Sequence, residues 1–151
     1  MNNLRHFNRN NEIRDFGAEP LIVNIDRLAK MNGNYRTALW TGEHLQVTLM
    51  SIPVRGDIGL EKHDGLDQFI RIESGRAIVM MGKCKNAMNY RQQVDGNYAI
   101  IVPAGTWHNI INTGNTPLKL YSIYTPPEHP FATVHPTKED AEKAEQKQRS
   151  L

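Results

Sequence analysis

Short apolar segments separated by Gly, Pro and Asn follow one another between residues 45 and 124, at intervals of roughly ten residues. In the first of them Leu45, Val47 and Leu49 alternate with more polar residues, which is the pattern of a half-buried strand. Many short strands with this punctuation predict an all-β sandwich or barrel. A closed barrel has no free strand edges, and it leaves a mouth that can accept a ligand.

The segments before this β-rich region are more polar. Residues 1–19 are rich in Asn and Arg and predict a loose arm or an edge addition. Residues 21–25 and 35–40 are strand candidates, and Asp26 is a candidate cap for a short helix that ends at Asn32 and Gly33. We therefore predict an N-terminal arm with added strands over residues 1–44 and a barrel over residues 45–126.

The C-terminal part, residues 127–151, begins with a Pro-rich segment that extends to Pro136. Thr137 and Asp140 then resemble a capping box, which predicts a helix over residues 137–149. Only Ala141 and Ala144 are apolar in this helix, so it has little surface to bury. We expect a solvated tail or a thin lid.

Composition excludes several classes of protein. A chain of 151 residues fits one domain, and its net charge of +2 comes from mixed charges without a basic, aromatic-rich run, so nucleic acid is not an expected partner. No apolar run approaches the ~20 residues of a membrane span, and the N-terminus lacks the apolar core of a signal peptide. The single cysteine, Cys84, allows no internal disulfide and fits a reducing compartment. We predict a cytoplasmic protein, with Cys84 as a small filler or a surface thiol.

Polar residues that can bind a metal concentrate in two segments. Glu61 and His63 are two positions apart, so on a strand they share one face. Asp64 and Gly65 form a turn, and the even positions of the next strand are apolar except for Gln68, which is therefore predicted to point inward. A buried Gln requires hydrogen-bond partners or a metal.

The second segment runs from Pro103 to Asn112. Pro103 ends one strand, and Gly105 permits a tight turn before His108 enters the next strand. The turn thus aims the His108 side chain. We expect Asn112 to support the following turn and Trp107 to have the orientation opposite to His108.

Together these segments resemble the two sequence motifs of the cupin superfamily. In the first motif, Glu61 stands at the first His position, His63 at the second, and Gln68 at the Glu position, between Gly56 and Gly75. The matches to the second motif are Gly96, Pro103, Gly105, His108 and Asn112. The resemblance implies a single-domain cupin with the double-stranded β-helix, or jelly-roll, fold, and it implies a homodimer.

The same resemblance implies a divalent metal site formed by Glu61, His63, Gln68 and His108. Two imidazoles and one carboxylate suit non-heme iron with open positions, and also Zn, Mn or Ni. Gln68 adds an amide oxygen as a fourth ligand or as a hydrogen-bonding support. The set is similar to that of phosphomannose isomerase-like cupins, which mix Gln, His, Glu and His.

Three functions remain open at this point. We favour a metal-dependent enzyme that acts on a small polar, sugar- or keto-acid-like molecule through isomerase or lyase chemistry, with mannose-6-phosphate isomerase-like activity as one form. An iron-dependent dioxygenase and a non-catalytic barrel that binds a small ligand are the alternatives. A sugar phosphate lacks an evident clamp, since Arg71 is predicted to point outward.

Further candidates lie near the end of the barrel. Tyr121 and Tyr124 are possible pocket residues, and since they occupy opposite faces of the last strand, one should face the cavity. Glu128, His129 and His135 can fold over the mouth, but an exposed loop is the preferred interpretation. We expect residues 21–25 to contribute to pairing in the homodimer.

Overall fold

A computed structural model of the chain describes residues 13–150. Most of the predicted N-terminal arm therefore lies outside the described residues. The elements, in chain order, are α1 (Ile25–Met31), β1 (Arg36–Thr41), β2 (Gln46–Ile52), β3 (Asp67–Ser74), β4 (Ala77–Gly82), β5 (Tyr90–Val94), β6 (Ala99–Val102), β7 (Trp107–Asn112), β8 (Leu118–Thr125), β9 (Val134–His135) and α2 (Lys138–Arg149).

The strands form two antiparallel sheets. The larger sheet has the order β6-β3-β8-β2-β1-β9, and the smaller one has the order β5-β4-β7. Their inner faces enclose one apolar core, to which both sheets contribute. This arrangement confirms the predicted all-β jelly roll with a short C-terminal helix. Strands β1 and β9 extend the larger sheet beyond residues 45–126.

The register across the larger sheet separates a polar end of the barrel from an apolar one. Tyr124 on β8 pairs with Gln46 on β2 and with Gln68 on β3, and all three side chains are buried. We call this end of the barrel the mouth. A second row of paired residues lies four positions away on each of the three strands. This row is apolar and consists of Met50, Leu120 and Ile72.

The inward alternation predicted for β3 is confirmed, because Gln68 is buried whereas Arg71 lies on the outer face and contacts Asn97 and Glu73. Asn112 also has its predicted role. Its side-chain amide donates to the carbonyl oxygens of Ile52, Pro53 and Thr116. Its Oδ1 accepts from the backbone amide of Gly114 in the turn.

A second apolar layer covers the outer face of the larger sheet. Leu28 from α1 packs in one cluster with Leu49 and Tyr121. The helix begins at Ile25, with Asn24 rather than Asp26 as its N-cap. The prediction of a strand over residues 21–25 is wrong, because these residues lead into α1 and pack against the sheet face without pairing with a strand.

The C-terminal helix packs on the barrel instead of standing free in solvent. Ala141 is buried in the main core, although most of the helix surface is exposed. The capping box of Thr137 and Asp140 forms as predicted. Lys138 makes an ion pair with Asp57, which joins the start of the helix to the barrel. The helix α2 is therefore anchored to the barrel at Ala141 and Lys138, and the rest of its surface is solvated. No helix among residues 13–150 is long and apolar enough to cross a membrane.

Candidate metal centre

Glu61 and His108 are brought together by a short antiparallel bridge. The amide of Glu61 donates to the His108 carbonyl oxygen at 3.0 Å, and the amide of His108 donates to the Glu61 carbonyl oxygen at 2.9 Å. Gly105, whose φ is +79°, donates its amide to the His63 carbonyl oxygen at 2.8 Å. This positive φ favours Gly. Backbone hydrogen bonds thus link the two sequence segments on either side of the cluster.

The side chains of Glu61, His63 and His108 converge. One candidate ligand atom from each lies within 4.8 Å of the others. Glu61 Oε2 is 3.5 Å from His63 Nε2 and 3.8 Å from His108 Nε2. His108 is almost fully buried, whereas Glu61 and His63 keep 22% and 14% of their side-chain surface exposed. The cluster therefore lies just inside the mouth and is reachable from solvent.

Buried atoms without hydrogen-bond partners make this cluster a candidate cation site. Within residues 13–150, these atoms include His63 Nε2, His108 Nε2 and Gln68 Oε1. Buried polar groups are normally paired, so three unpartnered atoms of metal-ligand type need an explanation. A divalent ion held by the cluster would satisfy the two imidazole nitrogens, and Glu61 would supply the negative charge. The donor set therefore fits the metal that the cupin resemblance implies.

Hydrogen bonds behind the ligands hold them in orientations suited to metal binding. His108 Nδ1 lies 3.1 Å from the Thr106 carbonyl oxygen, which can only accept, so Nδ1 carries the proton and Nε2 presents a lone pair. The amide nitrogen of Gln68 donates to Ser122 Oγ at 3.3 Å and leaves Oε1 free. Such supporting bonds commonly fix the ligands of metal sites.

The charges of the cluster are mutually dependent. Burial alone would lower the pKa of His63, but Glu128 and Glu61 outweigh it and raise this pKa to about 9. Burial lowers the pKa of His108. For Glu61, burial acts to raise the pKa, yet His63 and Arg36 bring it below its ordinary value. In the metal-free protein, a proton on His63 would compete with a metal ion for the same nitrogen.

Two side chains of the Pro-rich segment after β8 reach the mouth, although most of residues 126–136 are exposed, as expected. Glu128 Oε1 lies 3.5 Å from His63 Nδ1. The ring of His129 packs edge-on against Tyr124 with 5.3 Å between centroids, and the ring of His135 follows at 6.5 Å from that of His129. Burial lowers the pKa of His129 to about 2, so this imidazole is neutral.

Of the two predicted tyrosines, Tyr124 faces the interior. Its ring lies 6.0 Å from that of His63, and burial raises its pKa to about 12, so the phenol stays protonated. Tyr121 points to the opposite face and packs with Leu28 and Leu49, so it is not a pocket residue. Cys84 is exposed, which agrees with the prediction of a surface thiol. Lys62 and Lys85 lie over the ring of Trp107, which agrees with its predicted outward position.

Arg36 was missed in the sequence. It lies on β1 within a mostly apolar candidate strand, and its side chain is 1% exposed. Strand alternation could have predicted that Arg36 points inward. Arg36 shares a strand face with Ala38, and Ala38 pairs with the inward-facing Thr48. A charged residue on the inner face of a barrel strand is unusual enough to be a site candidate.

The comparisons with known proteins agree with this fold. The Cupin domain family matches residues 48–124. YrkC of Bacillus subtilis (strain 168) is 62% identical over 137 residues, covering 91% of this chain and 74% of YrkC. A protein of Acanthamoeba polyphaga mimivirus is 44% identical over 110 residues, covering 72% and 67% of the two chains.

Among solved structures, that of BH2720 from Bacillus halodurans is similar with a TM-score of 0.86 and 56% identity. The similarity covers 87% of this chain and 99% of BH2720. The match to the Cupin domain spans half of the sequence, and it contains both segments that form the cluster. The chain therefore belongs to the cupin family.

Proposed function

We propose that this cupin is a metal-dependent enzyme that acts on a small polar molecule, with isomerase or lyase chemistry as the reaction class. The observation that carries the proposal is the convergence of Glu61, His63 and His108, whose buried imidazole Nε2 atoms lack hydrogen-bond partners within the described part of the chain. Gln68 adds a free amide oxygen on the inner face of β3. A divalent ion held by this set would act as a Lewis acid on a carbonyl or hydroxyl oxygen of the substrate.

The side chains around the cluster have distinct roles in this proposal. Tyr124 is a protonated phenol and would donate a hydrogen bond to a substrate oxygen. His129 is a neutral imidazole whose Nε2 is buried without a hydrogen-bond partner, so it can form a hydrogen bond with a substrate oxygen or hydroxyl group. Glu128 supports His63 through the Nδ1 side of the imidazole.

The segment that bears Glu128 and His129 also limits access of water. Glu128 and His129 contact His63 and Tyr124 at the mouth, where Glu61 and His63 are only partly exposed. A partly closed, low-dielectric site strengthens interactions between the substrate and fixed polar groups. This arrangement favours chemistry on a small molecule over recognition of a large one.

An iron-dependent dioxygenase is the second candidate. Two histidines and one carboxylate match the ligand set of non-heme iron sites that keep open positions. The remaining candidate, a barrel that binds a ligand without turnover, requires no base or acid beside the metal. Oxygen dependence and turnover separate the three.

The first experiment is metal analysis of protein purified without chelator. We expect near-stoichiometric divalent metal after reconstitution, and its loss in His63→Ala and His108→Ala. His44→Ala is the matched control because His44 is exposed on the surface. Unchanged metal content in both site variants would refute the centre.

The second experiment is a substrate panel of sugars and keto acids, assayed with and without oxygen in the reconstituted protein. Turnover without oxygen that is abolished by His108→Ala supports isomerase or lyase chemistry. Oxygen consumption coupled to product formation assigns the dioxygenase instead. Saturable binding without turnover assigns the ligand-binding barrel.

A further inference from the structure

Arg36 carries a buried positive charge that no carboxylate of residues 13–150 neutralises by an ion pair. Its side chain is 1% exposed, and its Nη1 has one hydrogen-bond contact, at 3.3 Å from His135 Nδ1. Its Nε is buried without any partner. The guanidinium otherwise lies 5.3 Å from the ring centroid of Tyr35.

Such a group is costly to bury. A guanidinium has five N–H donors in a planar fork, and burial of a charge is tolerated when it is paired and hydrogen-bonded. Glu61 and Glu145 act electrostatically on Arg36, yet neither forms an ion pair with it. The buried guanidinium therefore keeps an N–H donor, at Nε, that an anion can bind.

The surroundings connect Arg36 to the metal cluster. From His63 the rings of Tyr124, His129 and His135 follow at centroid separations of 6.0, 5.3 and 6.5 Å, and His135 contacts Arg36. His129 Nε2 is a second buried atom in this row that lacks a partner. Polar atoms without partners thus extend from the ligands of the cluster inward to the guanidinium.

We propose that Arg36 binds the carboxylate of a small organic acid, and that the same molecule presents a second oxygen to the Glu61–His63–His108 cluster. Contact of the second oxygen with the cluster rests on the proposed function, whereas binding of the carboxylate by Arg36 does not. The substrate class would then be an acid with an additional oxygen function, such as a keto or hydroxy acid, and not a neutral sugar.

The chemistry of the site favours a carboxylate over a phosphate. One guanidinium offers two parallel N–H bonds, which match the two oxygens of a carboxylate. The neighbouring imidazoles of His129 and His135 both have a lowered pKa, chiefly because of burial, so they add no second positive charge. A phosphate, with a larger charge, would require further cationic or amide donors.

The test uses malonate as the probe and malonamide as its neutral counterpart, measured by calorimetry on the metal-free full chain. We expect saturable binding of malonate and none of malonamide. Arg36→Gln should weaken malonate binding at least about tenfold, because a charge-assisted pair is lost. Arg36→Lys should weaken it less. Arg91→Gln, at an exposed position on β5, is the matched control and should bind like the wild type.

Several outcomes would overturn the assignment. These are undiminished malonate binding in Arg36→Gln, absence of malonate binding by the wild type, and equal binding of inorganic phosphate. Malonate that binds only with metal, regardless of Arg36, assigns the anion to the metal alone. Metal content is measured separately, so failure of the metal centre does not affect this result.

A second measurement covers the case in which the Arg36 variants do not fold, as judged by circular dichroism. In the ¹⁵N-labelled wild type, the Arg36 Nε–H resonance, assigned through its own side chain, should shift and exchange more slowly with solvent when malonate is added. An unchanged resonance at saturating malonate would refute the proposal.

Discussion

The side chain of Gln46 holds the backbone of His129 at both its amide and its carbonyl group. Gln46 Oε1 accepts from the His129 amide at 2.9 Å, and Gln46 Nε2 donates to the His129 carbonyl oxygen at 2.8 Å. Oε1 also accepts from the Glu128 amide at 3.2 Å. A fully buried Gln on β2 thus fixes the segment that bears Glu128 and His129.

Replacement of Gln46 by Ala should release this segment. The variant loses three hydrogen bonds to backbone groups, and we expect the free energy of unfolding to fall by about 2–4 kcal/mol. Hydrogen exchange at residues 126–136 should accelerate more than exchange in β4 and β7. Gln92→Ala, at an exposed position on β5, should change neither quantity. Uniform acceleration throughout the barrel would contradict a local role.

Replacement of Gln68 by Glu should tighten binding of a divalent metal. The site has one carboxylate among its proposed ligands, and a second would add attraction to the ion. We expect the affinity to rise by about tenfold or more, and Gln68→Leu to lower it. Titration calorimetry with Mn²⁺ and Zn²⁺ measures both. If Gln68→Glu leaves the affinity unchanged, Gln68 does not contact the ion.

The ion pair between Asp57 and Lys138 should make α2 sensitive to acid. Burial acts to raise the pKa of Asp57, but hydrogen bonds from Lys138 and Asn109 outweigh it, and the pKa lies below its ordinary value. A depressed folded-state pKa stabilises the protein above the unfolded value near 4, and this contribution disappears as pH falls through the folded value.

The stability difference between wild type and Lys138→Ala should therefore be constant near neutral pH and shrink below about pH 4. Both side chains are about one-third exposed, so we expect a difference of about 1 kcal/mol or less. Chemical unfolding at several pH values measures it. Lys143→Ala removes an exposed pair with Glu139 and should have a smaller effect. A difference that persists at pH 2 would refute the electrostatic origin.

A side chain at Gly75 should destabilise the folded protein, whereas a side chain at Gly65 should not. Gly75 has φ of +100°, and an added Cβ would lie 3.1 Å from Leu118 Cα. The left-handed backbone alone costs about 1–2 kcal/mol for Ala, and the backbone contact adds to it. An added Cβ at Gly65 meets nothing within 4 Å. We expect Gly75→Ala to lower the melting temperature by several degrees and Gly65→Ala to leave it nearly unchanged.

Much of the barrel was predictable because local patterns specify it. Period-two alternation placed Gln68 inside and Arg71 outside β3, and turn residues marked the strand limits. Patterns failed where packing overrides them. Residues 21–25 have the composition of a strand, but Leu21, Val23 and Ile25 pack on the outer face of the sheet, and the segment leads into α1.

The sequence by itself determined the all-β architecture and the inward position of Gln68, because strand periodicity and turn chemistry act over a few residues. The candidate ligands followed from the resemblance to the two cupin motifs. Only the tertiary structure decided what surrounds them. Arg36 and His129 are 93 positions apart in the sequence, and both have buried nitrogens without partners. Burial and charge compensation depend on side chains that are distant in sequence, and no local pattern encodes them.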